Sequence, residues 1–121
     1  MTKSVSEKNQ QPTPVIQARR ALSTVNSDCG FHFYTAIGDY TGVTATSLQD
    51  LAKKMSTIPL GSVRFHYERG DFQRWIRTLF CDPELAESIG LIKPHFSDEA
   101  LRNEIIDKIE EHIGHLKVIA K

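Results

Sequence analysis

Cysteine and long apolar runs are scarce in this sequence, and neither sign of charge is in excess. The two cysteines, Cys29 and Cys81, can form one bridge at most. Neither sits in a CxxC pair or in a Cys/His cluster of zinc-site spacing, which argues against a disulfide-stapled secreted scaffold. No stretch approaches the roughly 18 consecutive apolar residues of a membrane span. Met1 to Pro14 runs through Lys3, Glu7, Lys8 and Asn9, where the apolar core of a signal peptide would have to lie. A soluble protein of a reducing cytoplasm is the expectation. The 15 Lys+Arg cancel the 15 Asp+Glu, which removes the overall charge of a dedicated nucleic-acid or membrane-surface binder. A Gly-rich phosphate loop, a GxSxG elbow, an HExxH pair and an EF-hand loop are all missing. No catalytic residue, metal site or cofactor is therefore nominated.

At 121 residues the chain can bury one modest core, and it needs neither disulfides nor metal to do so. Residues 1–14 are polar, contain Pro12 and Pro14, and are expected to form a flexible leader before a single domain spanning 15–121. Val15 to Leu22 fits a short helix. Phe31 to Ile37 is aromatic and β-branched and reads as an extended segment, and Gly38 and Gly42 bracket a pair of turns around Asp39-Tyr40-Thr41. Ser47 is placed to cap a helix whose buried stripe is Leu48, Leu51, Ala52 and Met55. Ser62 would cap Val63 to Arg69, helical in preference to strand, with Gly70 ending it in left-handed conformation. Asp71 is expected as the N-cap of the clearest amphipathic helix, with Phe72, Trp75, Ile76, Leu79 and Phe80 on one face. Asp82-Pro83 opens another short helix that Gly90 stops. Ser97 starts the last one, striped by Leu101, Ile105, Ile109, Ile113 and Leu116, with Ile106 alongside. The sum is an all-α domain of four to five short helices, with α+β carrying one short hairpin as the alternative.

The densest group of chemically able side chains lies between Arg64 and Trp75. If a helix starts at Asp71, its free amides lie beside Arg69 and His66, an arrangement that suits a phosphate or carboxylate. His66, Arg69, Asp71 and Arg74 are therefore the candidate anion-binding residues. The competing reading is structural: Asp71 caps the helix itself, Arg69 pairs with Asp71 or Glu68, and His66 donates a ring proton to a backbone carbonyl. Trp75 falls in the centre of the apolar stripe and is read as core. Arg64, Arg69, Arg74 and Arg77, with Lys53 and Lys54, form a basic middle that could hold nucleic acid. The acidic last helix is preferred as its complement. His112 and His115 lie one turn apart, and the dipole at a helix C-terminus explains them without a metal. Arg69-Gly70-Asp71 matches the integrin tripeptide only by coincidence, since a helix follows it directly.

Tyr40-Thr41-Gly42, Ala45-Thr46-Ser47-Leu48, the run Phe65-His66-x-x-Arg69-Gly70-Asp71-Phe72-x-x-Trp75-Ile76 and Asp82-x-x-Leu85-Ala86 resemble a family of small prokaryotic, largely archaeal, domains of unknown function. The resemblance covers about half of the chain, from Phe31 to Leu91. It implies one structural unit and brings no activity, substrate or cofactor with it. The functional expectation is a non-enzymatic interaction or regulatory module that associates with itself or a larger protein through the C-terminal helix. A small-anion binding domain using His66 and Arg69, with possible catalysis, is the first alternative, and nucleic-acid binding the second.

Overall fold

The computed structural model describes residues 13–93 and 97–121. Among them are six α-helices and one antiparallel hairpin: α1 (Pro14–Ala21), β1 (Phe31–Tyr34), β2 (Tyr40–Ala45), α2 (Leu48–Met55), α3 (Leu60–Arg69), α4 (Asp71–Phe80), α5 (Pro83–Gly90) and α6 (Asp98–Ala120). The architecture is therefore α+β and not all-α. Tyr40-Thr41, expected in turns, opens β2, whose glycine and partly buried threonines give it no apolar alternation to read.

The register of the hairpin explains its irregular sequence. Phe31 faces Ala45, His32 faces Thr44 and Tyr34 faces Tyr40, so Phe33 stands alone opposite three residues of β2. Gly42 takes φ +86° within this bulge, a conformation that costs glycine little. The Thr41 hydroxyl donates to the Phe33 carbonyl at 2.8 Å and helps hold the bulged strand in place. Phe31, Phe33 and Ala45 point inward.

Most helix starts follow the capping logic. Side-chain oxygens of Thr13, Ser47, Asp82 and Ser97 accept backbone N–H groups three residues ahead, at 3.0–3.2 Å, each satisfying one of the open donors of a first turn. Thr13 and Pro14 thus belong to α1, and the rest of the expected leader lies outside the described residues. Two caps differ from expectation. Ser62 sits inside α3, which starts at Leu60 after Pro59, and its hydroxyl donates instead to the Tyr34 carbonyl at 2.6 Å. Asp71 is the first residue of α4 and makes no capping bond; Gly70, at φ +73°, both ends α3 and precedes α4.

The long helix α6 is the spine. Leu101, Ile105, Ile109, Ile113 and Leu116 are buried along it against α1, α2, α3 and α5. Burying each such side chain contributes about 1.5–3 kcal/mol. These five side chains are thus covered within the chain, and Ile106 is partly buried against the same core. Helix α1 seals one side of α6 with Ala18 and Ala21. The hairpin packs on α2 and α3, which leaves its turn projecting over the α3–α4 junction.

Candidate functional site

The site is built at that junction. Left-handed Gly70 reverses the chain between two helices, so the last turn of α3 and the first turn of α4 share one patch of surface. With a glycine in the N-cap position, the Asp71 carboxylate is not drawn to its own helix amides and turns back over α3. Its Oδ2 receives the His66 Nδ1 proton at 2.8 Å and the Arg69 Nε–H at 3.2 Å. Its Oδ1 is bonded by Arg74 Nη2, and Arg74 Nη1 donates to the Arg69 carbonyl at 3.2 Å. All four candidate residues are brought together, with the aspartate as the hub and not as a cap.

His66 is committed on both sides of its ring. Nε2 accepts the Tyr34 backbone N–H at 2.8 Å, so Nδ1 carries the proton it donates to Asp71. The expected bond to a backbone carbonyl is replaced by this amide-to-imidazole-to-carboxylate chain. Burial pushes the His66 pKa below the ordinary histidine value, against the opposing pull of Asp71. The neutral ring is therefore the resting form, and neither nitrogen is open to take a proton from a substrate.

Above this cluster lies a cleft of about 630 Å³ between the hairpin and α3–α4, within the usual size of a small-molecule site, roughly 300–1,000 Å³. Phe31, His66 and Trp75 contribute buried edges at its base. The Phe31 ring links them, 4.7 Å from His66 and 5.6 Å from Trp75 by ring centroids. Tyr34, Phe65 and Leu79 line it further, and Ile37 of the hairpin turn, 83% exposed, stands at its edge. The Arg69 guanidinium lies 5.0 Å from the centre of the Phe65 ring, an attraction of about 0.5–1 kcal/mol at an exposed position. Trp75 is core, as its stripe position implies, and its indole N–H donates to the Cys29 carbonyl at 2.9 Å. Its ring is nonetheless part of the cleft.

Among the cleft residues that sequence reasoning missed are Phe31, His32, Tyr34, Ile37, Phe65 and Thr78. The available signal was the aromatic run before Gly38, which marks a hairpin tip once β2 is recognised. Gly30 also borders the cleft; a Cβ there would meet Thr44 Cγ2 at 2.6 Å and the Ala45 carbonyl at 2.7 Å, so only glycine lets β1 enter beside β2.

The remaining candidates resolve into packing. His112 Nε2 is 2.7 Å from the buried Asp82 Oδ2, and that hydrogen bond raises its pKa against the opposing effect of burial. Among the described residues no group of three or more His, Cys, Asp or Glu gathers as a metal would require. Arg64 pairs with Asp98 of α6 and with Glu68 of its own helix; the anticipated complementarity between the basic middle of the chain and its last helix is realised at Arg64, whereas Lys54, Arg69 and Arg74 pair with Asp50 and Asp71. Among the described residues no helix is long and apolar enough to cross a membrane.

A family model described as a family of unknown function, DUF5752, matches residues 26–121. That span begins after α1, although α1 packs against α6 as part of the same core. No curated protein and no solved structure matches the chain.

Proposed function

We propose, for a chain that belongs to DUF5752, a family of unknown function, that it is a small non-enzymatic binding module whose site is the cleft between the hairpin turn and the α3–α4 junction, and that the ligand carries an anionic group held by Arg69 and Arg74. One observation carries the reading. Two exposed arginines share a single aspartate at an open, largely apolar cleft, so their remaining N–H donors face solvent beside a surface that can shelter the rest of a ligand. A binder is preferred to a catalyst because His66, the nearest acid–base group, has both nitrogens engaged. Titration calorimetry against inorganic phosphate, sugar phosphates, nucleotides and aromatic carboxylates tests the reading. Binding that Arg69→Ala or Arg74→Gln abolishes, with the unfolding midpoint still cooperative, supports it; a full panel without heat or thermal shift removes it.

A second reading, association with another copy or a larger protein through α6, is favoured by Val118 and Ile119, 67% and 43% exposed at the end of that helix. Light scattering on the purified protein decides it: a strict monomer whose mass is unchanged across concentration rejects self-association. The exposed free thiols of Cys29 and Cys81 suit a reducing compartment, and with the resemblance noted in the sequence they support a prokaryotic cytoplasmic setting. Nucleic-acid binding is disfavoured by the balanced net charge and by the pairing of Arg64 with Asp98 of α6, which takes one arginine out of the basic middle of the chain.

A further inference from the structure

The chemical identity of the ligand can be narrowed further, on the premise that the cleft is the binding site. The charges that line it are few. Arg69 and Arg74 supply two positive charges, Asp71 removes one, and both titratable rings present, His32 and His66, are engaged in hydrogen bonds, His32 with the Thr44 hydroxyl at 2.7 Å. A single positive charge is left unbalanced where the two arginines meet the cleft. A ligand with one negative charge neutralises it, whereas a dianion would leave one negative charge with no partner among the residues that line the cleft. Both oxygens of Asp71 are already occupied by three donors, so it offers little to a sugar hydroxyl.

The walls select for the rest of the molecule. Phe31, Tyr34, Phe65 and Trp75 line one cleft; Phe31 and Trp75 are buried, whereas the partly exposed rings of Tyr34 and Phe65 reward a flat π surface by stacked or edge-on contact worth about 0.5–1.5 kcal/mol each. Ile37, the most exposed large apolar residue of the hairpin, sits beside them without a covering partner among the described residues. A sugar or an inorganic ion would leave these surfaces wet. A cleft of about 630 Å³ has room for a fused ring system as well as its anionic group. We infer that the ligand is a planar aromatic monoanion, its ring against the partly exposed Phe65 and Tyr34, close to the buried Trp75, and its charge on Arg69 and Arg74.

A carboxylate and a phosphodiester share this chemistry, and two probes separate them. Naphthoate presents the first and cyclic AMP the second; naphthamide supplies the aromatic ring without charge, and inorganic phosphate and ribose phosphate supply charge without an aromatic ring. Calorimetry on the intact protein is read together with emission from its lone tryptophan. At least one of naphthoate and cyclic AMP is expected to bind about tenfold more tightly than any probe bearing half of its features, with a change in Trp75 emission and a loss of about tenfold in Arg74→Gln, the size of one exposed charge-assisted contact. Phe65→Leu, which keeps an apolar side chain of similar reach, is expected to weaken the ring-bearing probe and leave phosphate unaffected. Ribose phosphate or phosphate binding as tightly as the aromatic anions would overturn the ring requirement and leave the anion site standing. Naphthamide matching naphthoate would overturn the charge requirement, and silence from every probe would overturn both.

Discussion

The backbone N–H of Tyr34 donates to Nε2 of His66 at 2.8 Å, across 32 residues of sequence. The carbonyl of the same tyrosine accepts the Ser62 hydroxyl at 2.6 Å, so α3 grips both polar groups of one hairpin residue. This closes the outer edge of β1 at that point, where an open strand would otherwise present unpaired backbone. It also sets the distance between the hairpin turn and the α3–α4 junction, and hence the width of the cleft.

The grip on Tyr34 gives stability an acid-side dependence. The folded pKa of His66 is lowered from 6.5 mainly by burial, so between that folded value and 6.5 the unfolded chain binds more protons than the folded one. Stability is complete above 6.5 and falls as pH drops through this window, because a protonated Nε2 would face the Tyr34 N–H donor. His66→Gln is expected to cost about 1–3 kcal/mol at pH near 8, where its unpaired neighbours dominate. Urea unfolding of both proteins from pH 5 to 8 checks this, and an unchanged acid slope in the variant would contradict the assignment.

His112 is expected to act with the opposite sign. Its pKa is raised by the hydrogen bond to Asp82, so its charged form adds stability that is fully present below 6.5 and is lost as pH rises through the folded value. His112→Gln should therefore fall furthest below wild type in mild acid and approach it in mild alkali, leaving a residual of about 1 kcal/mol for the neutral bond. The two histidines partly offset each other in the wild-type curve, so each effect shows only as a difference between wild type and variant. A gap that widens with rising pH is the result that would refute the pairing.

Two glycines should respond to alanine for different reasons. At Gly70 the nearest atom to a new Cβ is the flexible Arg74 guanidinium at 3.9 Å, and the cost is the left-handed φ of +73° alone, about 1–2 kcal/mol. At Gly30 the φ is ordinary, −74°, but the Cβ would strike Thr44 and the Ala45 carbonyl. Backbone must move there, at about 1–3 kcal/mol or more, and the cleft moves with it. Thermal unfolding should rank Gly30→Ala as the less stable, with the greater loss of ligand affinity. The reverse order would mean the hairpin entry is looser than its contacts show.

Along α6, burial decides the cost of truncation. Ile109 is fully buried and Ile119 is 43% exposed. Ile109→Ala is expected to lose about 2–5 kcal/mol through transfer and cavity terms, and Ile119→Ala to stay within about 0.5 kcal/mol of wild type in the monomer. Denaturant midpoints measure both. A large effect at Ile119 that depends on protein concentration would instead reveal that this end of the helix is covered by a partner.

Capping residues and apolar stripes were legible in the linear order because they depend on neighbours three or four positions away. Ser47, Asp82 and Ser97 accept the amides their spacing implied, and the stripes of α2, α4 and α6 are buried where the helical period put them, with Leu79 of α4 and Ile106 of α6 only partly buried. Strand β2 was not legible, since Thr41, Gly42 and Thr44 become a strand only by pairing with β1 around a bulge. The candidate residues His66, Arg69, Asp71 and Arg74 were legible as a cluster because they lie within three helical turns of one another. Their roles were not. Asp71 looked like a cap by its position after Gly70, and it became a hub because a ring from α3 and two guanidiniums compete more strongly for its carboxylate than its own amides do.

Local sequence by itself thus determined which segments are helices, where most of them begin and which face each buries, since these follow from backbone sterics and periodicity over a few residues; the start of α3 at Leu60 and the Gly70 cap of α4 are the exceptions. Tertiary structure alone decided that an aromatic hairpin stands over the α3–α4 turn, that His66 is locked neutral between Tyr34 and Asp71, and that two arginines border an apolar cleft. Those facts rest on contacts between residues about 30 to 45 positions apart, which no local pattern encodes because the chain must first close those loops for the groups to meet.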